Sequence, residues 1–210
     1  MKRGIFITFE GNDGAGKTTI CKLVQESLIQ QGYEVIYTRE PGGSQIAESI
    51  RNILLDVNNT QMDARTEAIL YAASRRQHLV EIVQPAIEAG KIVLCDRFID
   101  SSLAYQGVGR DLGIEEVYAL NQFAIDSLMP DKTIFLSVDI ETGAKRMNIR
   151  GDKNRLDLEA DSFHKKVRQG YETLLKMYPE RIVKVDASGT VLEVFDLTME
   201  EIKKVLKQYE

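Results

Sequence analysis

Along the chain, short apolar runs rich in β-branched residues alternate with longer stretches in which apolar positions recur every three to four residues. The runs are Ile5 to Glu10, Glu34 to Arg39, Lys91 to Asp96, Lys132 to Val138 and Ile182 to Asp186, and each reads as a strand. The helical pattern covers Lys17 to Gln31, Gln45 to Leu55, Ala64 to Ala89, Ile114 to Ser127, Glu141 to Ile149, Ser162 to Met177 and Thr190 to Tyr209. Pro85 is placed to kink the third of these. Such alternation predicts an α/β protein with a five-stranded parallel sheet, right-handed crossovers and helices on both faces. No repeat, low-complexity tract or Pro/Gly/Ser linker divides the 210 residues, so residues 1–210 are expected to form a single domain.

Composition narrows the class. Hydrophobic residues make up 43% and charged residues 28%, and no apolar run approaches the ~18 residues of a membrane-spanning helix. The stretch after Met1-Lys2-Arg3 is apolar only from Ile5 to Phe9 and stops at Glu10, which reads as a strand and not as a signal peptide. A cytoplasmic location is the expectation. Cys21 and Cys95 fall in a predicted helix and a predicted strand without CxxC spacing or a nearby His, so reduced structural thiols are expected. A net charge of −5 argues against a nucleic-acid partner, and phosphate recognition is then expected from a few placed arginines.

In open parallel sheets ligands gather at the carboxyl ends of the strands. The first strand is followed by Gly11-Asn12-Asp13-Gly14-Ala15-Gly16-Lys17-Thr18, a complete G-x-x-x-x-G-K-[ST] opening into a helix. Its glycines let backbone N–H groups face phosphate oxygens, and the helix N-terminus adds partial positive charge. The candidate ATP-phosphate cradle is Gly11, Asn12, Asp13, Gly14, Ala15, Gly16, Lys17, Thr18 and Thr19, with Lys17 reaching the β- and γ-phosphates and Thr18 holding Mg²⁺. The fold class becomes a three-layer P-loop NTPase fold.

The other strand ends bear on the reaction. The second runs into Arg39-Glu40-Pro41-Gly42-Gly43, a tight turn that presents Arg39. The third closes on Cys95-Asp96-Arg97-Phe98, with Asp96 placed to act on Mg²⁺ directly or through water and Arg97 placed to hold a second phosphate. Two such arginines suit a monophosphate acceptor, whereas an Asp96–Arg97 ion pair bracing the loops is the alternative. Arg146, Arg150 and Arg155 lie in or beside a short polar segment between two helices, where a lid is expected around residues 145–157. A GTPase switch competes, since Asn154-Arg155-Leu156-Asp157 partly matches N-K-x-D. Against it, Arg replaces Lys, no strand precedes the motif, and the third strand ends D-R-F-I instead of D-x-x-G. A non-catalytic nucleotide-binding regulator needs neither the acceptor-side arginines nor the lid.

Taken together, Phe9-Glu10-Gly11, Arg39-Glu40-Pro41-Gly42-Gly43, Asp96-Arg97-Phe98, Asp100-Ser101-Ser102-Leu103-Ala104-Tyr105-Gln106-Gly107 and Asn154-Arg155-Leu156-Asp157 resemble bacterial thymidylate kinase over nearly the whole chain. The resemblance implies transfer of the γ-phosphoryl group of ATP to dTMP giving dTDP, with ATP as co-substrate, Mg²⁺ as cofactor, and a homodimer. It places Tyr71 against thymine and Arg75 on the base edge, and their i, i+4 spacing independently puts the two on one helix face. Ser102 and Gln106 join Arg75 as readers of the base, Ser101 and Arg51 as further acceptor contacts, and Tyr105 as a guard against a ribose 2'-hydroxyl. Asp13 resembles the acid near the acceptor sugar and metal, so the implied catalytic set is Lys17, Arg97, Asp13 and a lid arginine. One branch of the family carries that arginine inside the P-loop and another in the lid. Position 14 is glycine here, which points to the lid, to Arg150 first and Arg155 second. Another pyrimidine or deoxynucleotide kinase of the same fold is the runner-up.

Overall fold

The computed structural model describes residues 3–139, 141–143, 146 and 154–209. Five parallel strands, β1 (Ile5–Glu10), β2 (Val35–Arg39), β3 (Ile92–Asp96), β4 (Lys132–Ser137) and β5 (Ile182–Asp186), form one sheet in the order β2-β3-β1-β4-β5. From β1 the chain leaves to β2, returns to β3 beside β1, and then crosses to β4 on the other side. The loop after β1 therefore sits at the switch point, where ligands of such sheets collect. Register aligns the strand ends: Phe9 and Arg39 both pair with Asp96, so the residues following β1, β2 and β3 emerge together.

Side-chain alternation divides the core. Ile5, Ile7 and Phe9 pack with Ile134, Leu136 and Val185 beneath α1 (Lys17–Gln30). Phe6, Val93 and Phe135 face the opposite way, toward α3 (Ala64–His78) and its neighbours. The period of two thus serves both helical layers at once, which is why β1 is buried along its whole length. Around the sheet lie also α2 (Gln45–Leu55), α4 (Gln84–Glu88), α5 (Ile99–Ser102), α6 (Ile114–Ile125), α7 (Asp161–Met177) and α8 (Val191–Lys207).

Two departures from the sequence expectation have physical causes. The predicted helix 64–89 is not uniform: α3 widens into a π-helical turn at Leu79–Val83 before α4 carries Pro85 in its first turn. Proline lacks the N–H that an uninterrupted ladder would use, and the wide turn accommodates the loss. The second departure is α5, continued by a π-helical stretch Leu103–Gly109, where no element was predicted. Its glycines weaken the local signal, and tertiary contacts hold it instead. Phe98 N and Ser101 N donate to the buried Glu10 carboxylate at 2.8 and 3.1 Å, and Gly170 of α7 lies so close that a Cβ there would meet Ala104 at 2.9 Å. Of the expected helix 141–149, residues 141–143 and 146 are helical and the others lie outside the described residues.

Candidate active site

The strand ends open into a cleft of about 560 Å³. On one side is the P-loop, where Gly11, Gly14 and Gly16 have φ of 143°, 79° and 85°, conformations that side chains oppose. At Gly14 a Cβ would also collide with the Gly143 carbonyl, so this position has no room for a side chain. Lys17 Nζ donates to the carbonyls of Gly11 and Asn12, at 3.0 Å each. Burial and the nearby Arg97 charge push the Lys17 ammonium down to about 8. Thr18 Oγ1 donates to Asp96 Oδ2 at 2.6 Å, which puts a hydroxyl and a carboxylate oxygen side by side. Hard oxygen donors of this kind fit Mg²⁺.

Opposite the P-loop, the guanidinium groups of Arg39, Arg51 and Arg97 converge. Arg39 Nη1 and Arg51 Nη1 both donate to Pro41 O at 2.8 Å, and Arg39 also pairs with Glu48. Arg51 is depressed in pKa by burial first and then by the positive charge of Arg39. Arg97 occupies the left-handed region at φ 71°, which costs a non-glycine residue on the order of 1–3 kcal/mol. That backbone directs its side chain to Asp13 Oδ1 at 2.6 Å and Ser101 Oγ at 3.0 Å. Burial opposes ionisation of Asp13, yet Arg97 and Lys17 outweigh it and hold the carboxyl well below its usual range. Tyr105 donates to the other Asp13 oxygen at 2.9 Å. With Asp96 bonded to Thr18 and Arg97 to Asp13, the structure does not form the bracing Asp96–Arg97 pair that stood as an alternative.

Deeper in the cleft lies Arg75, only 2% exposed. Its Nε donates to Glu40 at 2.8 Å, Nη1 to Ser102 Oγ at 3.1 Å and to Asn121 Oδ1, and Nη2 to Phe98 O at 3.0 Å. Glu40 also bonds His78 Nδ1 at 2.9 Å, and His78 Nε2 meets Thr38 Oγ1 at 2.7 Å. Tyr71, Ser102 and Gln106 line the same end of the cleft.

The structure thus brings Asp13 to Thr19, Arg39, Arg51, Tyr71, Arg75, Asp96, Arg97, Ser101, Ser102, Tyr105 and Gln106 around one cavity. Gly11 and Asn12 support it through their carbonyls. Arg155 is not in this set. It is buried in the 3₁₀ turn Arg155–Leu158, donating to Leu54 O at 2.9 Å and to Glu67 at 2.6 Å, so its guanidinium braces the wall. Arg150 lies outside the described residues.

Several residues escaped the sequence reading. Ala187, Gly189, Val191 and Val194 extend the cleft past the P-loop, where Arg146, read above only as part of the lid segment, donates to Ala187 O at 3.0 Å. The carboxyl end of β5 was the available signal, because the strand-end rule applies there as it does to β1. Glu67 and Asn121 were not singled out, and Glu10 and Glu40 stood in the quoted motifs without a role; all four pair with residues dozens of positions away.

A phosphate cradle facing a buried, arginine-bearing chamber across one cleft defines a P-loop kinase with a nucleotide acceptor. The thymidylate kinase family model matches residues 9–197. The thymidylate kinase of Clostridium novyi is 56% identical over 209 residues, covering 99% of this chain and all of that protein. The thymidylate kinase of Shouchella clausii is 55% identical over 208 residues, 98% of each. The crystal structure of thymidylate kinase from Ehrlichia chaffeensis superposes with a TM-score of 0.78 at 33% identity, covering 96% of this chain and 99% of that one. The chain belongs to the thymidylate kinase family, and its reaction is the phosphorylation of dTMP to dTDP with ATP.

Proposed function

We propose that ATP lies on the P-loop and dTMP on the opposite wall, so that the γ-phosphoryl group passes between them in line. The observation that carries this assignment is the convergence of Arg39, Arg51 and Arg97 opposite Lys17, a gathering of like charge that a phosphate dianion relieves. Backbone N–H groups from Gly11 to Thr19 cradle the donor phosphates, and Lys17 exchanges the Gly11 and Asn12 carbonyls for phosphate oxygens. Thr18 and Asp96 would hold Mg²⁺, which when bound neutralises charge on the β- and γ-oxygens. Arg97, steered by Asp13, holds the acceptor phosphate. Asp13 and Tyr105 border the sugar, while Tyr71 stacks on the base and Arg75, Ser102 and Gln106 read its edge. The attacking phosphate oxygen is already ionised, so alignment and charge neutralisation replace a general base.

The transition-state cation is assigned to Arg150. Gly14 has no room for a side chain, and Arg155 is engaged with Glu67, which supports a lid source within about residues 145–157 of one domain spanning residues 1–210. A homodimer in the cytoplasm completes the reading. Apolar Ile53, Ile69 and Phe123 stand exposed on α2, α3 and α6, which pack side by side, and the free buried Cys21 and Cys95 suit a reducing compartment. No helix of the described residues is long and apolar enough to cross a membrane.

The test is ADP release from ATP with dTMP, dUMP, dCMP, UMP and dGMP as acceptors, with and without a chelator. The fastest turnover is expected with dTMP, and chelation should abolish it. ADP release independent of acceptor would overturn the two-substrate assignment.

A further inference from the structure

We propose that Glu67 is a positioning residue for base selection: its carboxylate fixes the Gln106 side-chain amide so that the amide oxygen, and not the nitrogen, faces the acceptor base. The inference rests on the assignment of Gln106 to the base edge. Glu67 is completely buried on α3. Its Oε1 accepts from Gln106 Nε2 at 2.9 Å and Arg110 Nε at 3.2 Å, and its Oε2 from Arg110 Nη2 at 2.9 Å and Arg155 Nη2 at 2.6 Å. Burial disfavours the charge, but Arg110 and Gln106, followed by Arg155, lower the pKa and keep the carboxylate ionised.

An ionised carboxylate accepts hydrogen bonds and donates none. Of the two ends of the Gln106 amide only the N–H₂ end can therefore meet Glu67, and a flipped amide would set oxygen against oxygen inside a buried site. Gln106 lines the cleft, and among the described residues nothing donates to its Oε1. The locked amide thus offers the chamber an acceptor. Thymine carries a donor at N3, which satisfies that acceptor. Cytosine carries a lone pair at N3 and an amino group at C4, which leaves two acceptors facing each other. Two arginines would ordinarily make a carboxylate's presence a matter of charge pairing alone. Here the third partner gives the pairing a second consequence, because ionisation is what makes the orientation obligatory.

5-Methyl-dCMP isolates this effect, since it keeps the thymine methyl and changes the ring only where donor and acceptor exchange. The kcat/KM ratio of dTMP to 5-methyl-dCMP should be measured in wild type, Glu67→Gln and Gln106→Leu. A site built to pair with a substrate N–H rejects the wrong pattern by up to about 10⁴. Glu67→Gln frees the amide to flip, and the ratio should fall at least tenfold, chiefly through better use of 5-methyl-dCMP. A wild-type ratio in Glu67→Gln together with a reduced one in Gln106→Leu would overturn the role of Glu67 while leaving Gln106 as a reader. A wild-type ratio in Gln106→Leu would overturn the assignment beneath it. A purely structural role would slow both acceptors alike and leave the ratio unmoved. If Glu67→Gln melts below the assay temperature, wild-type NMR decides: one Gln106 side-chain amide hydrogen should be protected from exchange by the carboxylate, and free exchange of both overturns the proposal.

Discussion

The two walls of the cleft are built on different principles. The wall proposed for the donor is consecutive backbone, Gly11 to Thr19, shaped by glycines at positive φ. The wall proposed for the acceptor is side chains from the ends of β2 and β3, from α2 and α3, and from the π-helical stretch after α5, several of them held by partners distant in the chain. Glu10, Glu40 and Glu67, all buried, are the partners that fix Ser101, Arg75 and Gln106. A backbone site is local and tolerates change outside its own segment. A side-chain site is cooperative, because removing one member leaves a buried partner unpaired.

The largest effect expected separates the two arginines proposed from the sequence for the lid. Arg150→Ala should lower turnover by about 10³ to 10⁵ while both substrates bind nearly as in wild type, since a transition-state cation contributes chiefly to the moving phosphoryl group. Arg155→Ala should instead lower thermal stability, because it removes one of two cations from the buried Glu67. Steady-state kinetics and melting curves of both variants check this. Equal losses of turnover without loss of stability would return Arg155 to the chemistry.

The next contrast sets wall against wall. Arg75→Met removes the permanent cation beside the buried Glu40 and leaves it His78 alone among the described residues, and breaking a buried pair costs roughly 3–5 kcal/mol. At about 2–4 °C per kcal/mol for a chain of this size, Tm should fall by roughly 6–20 °C, together with dTMP affinity. Lys17→Met should lower turnover by about 10² to 10³ with Tm nearly unchanged, since its ammonium is buried near Arg97 and gains little from the fold. A Lys17 variant that melts as early as the Arg75 variant would erase the distinction.

The same contrast explains what was legible in the sequence. The P-loop could be read because its chemistry occupies adjacent positions and its context, strand then helix, is local. The strands were placed within a residue or two because β-rich runs bounded by polar residues have few other uses in a parallel sheet. Arg39, Arg75 and Arg97 were named from the sequence and line the cleft, yet the partner of each within the protein was not legible. Arg75 shows why: its acceptors are Glu40, Phe98, Ser102 and Asn121, separated from it by 35, 23, 27 and 46 positions. Neither spacing nor periodicity carries such information. The helical stretch from Ile99 to Gly109 was missed for the same reason, since its N-terminus is satisfied by Glu10 from β1 and its glycines by close packing against α6 and α7.

The smallest effect expected is a pH dependence confined to the donor wall. Lys17 has been pushed down to about 8, by burial first and by Arg97 next. Below that pH it is an ammonium and binds phosphate; above it the neutral amine loses the charge that the phosphates require. The free enzyme should therefore lose ATP affinity as the pH rises through about 8, by no more than about tenfold per pH unit. Arg97 behaves differently: burial opposes its charge, but Tyr105 and Asp13 raise it well above the usual range, so the partner proposed for the acceptor phosphate keeps its charge throughout. Affinities for ATP and dTMP measured from pH 7 to 9.5 should diverge, the first weakening and the second flat, and Lys17→Met should remove the divergence. Parallel weakening of both would mean that one titrating group serves both walls, and the division between a backbone site and a side-chain site would not extend to their electrostatics.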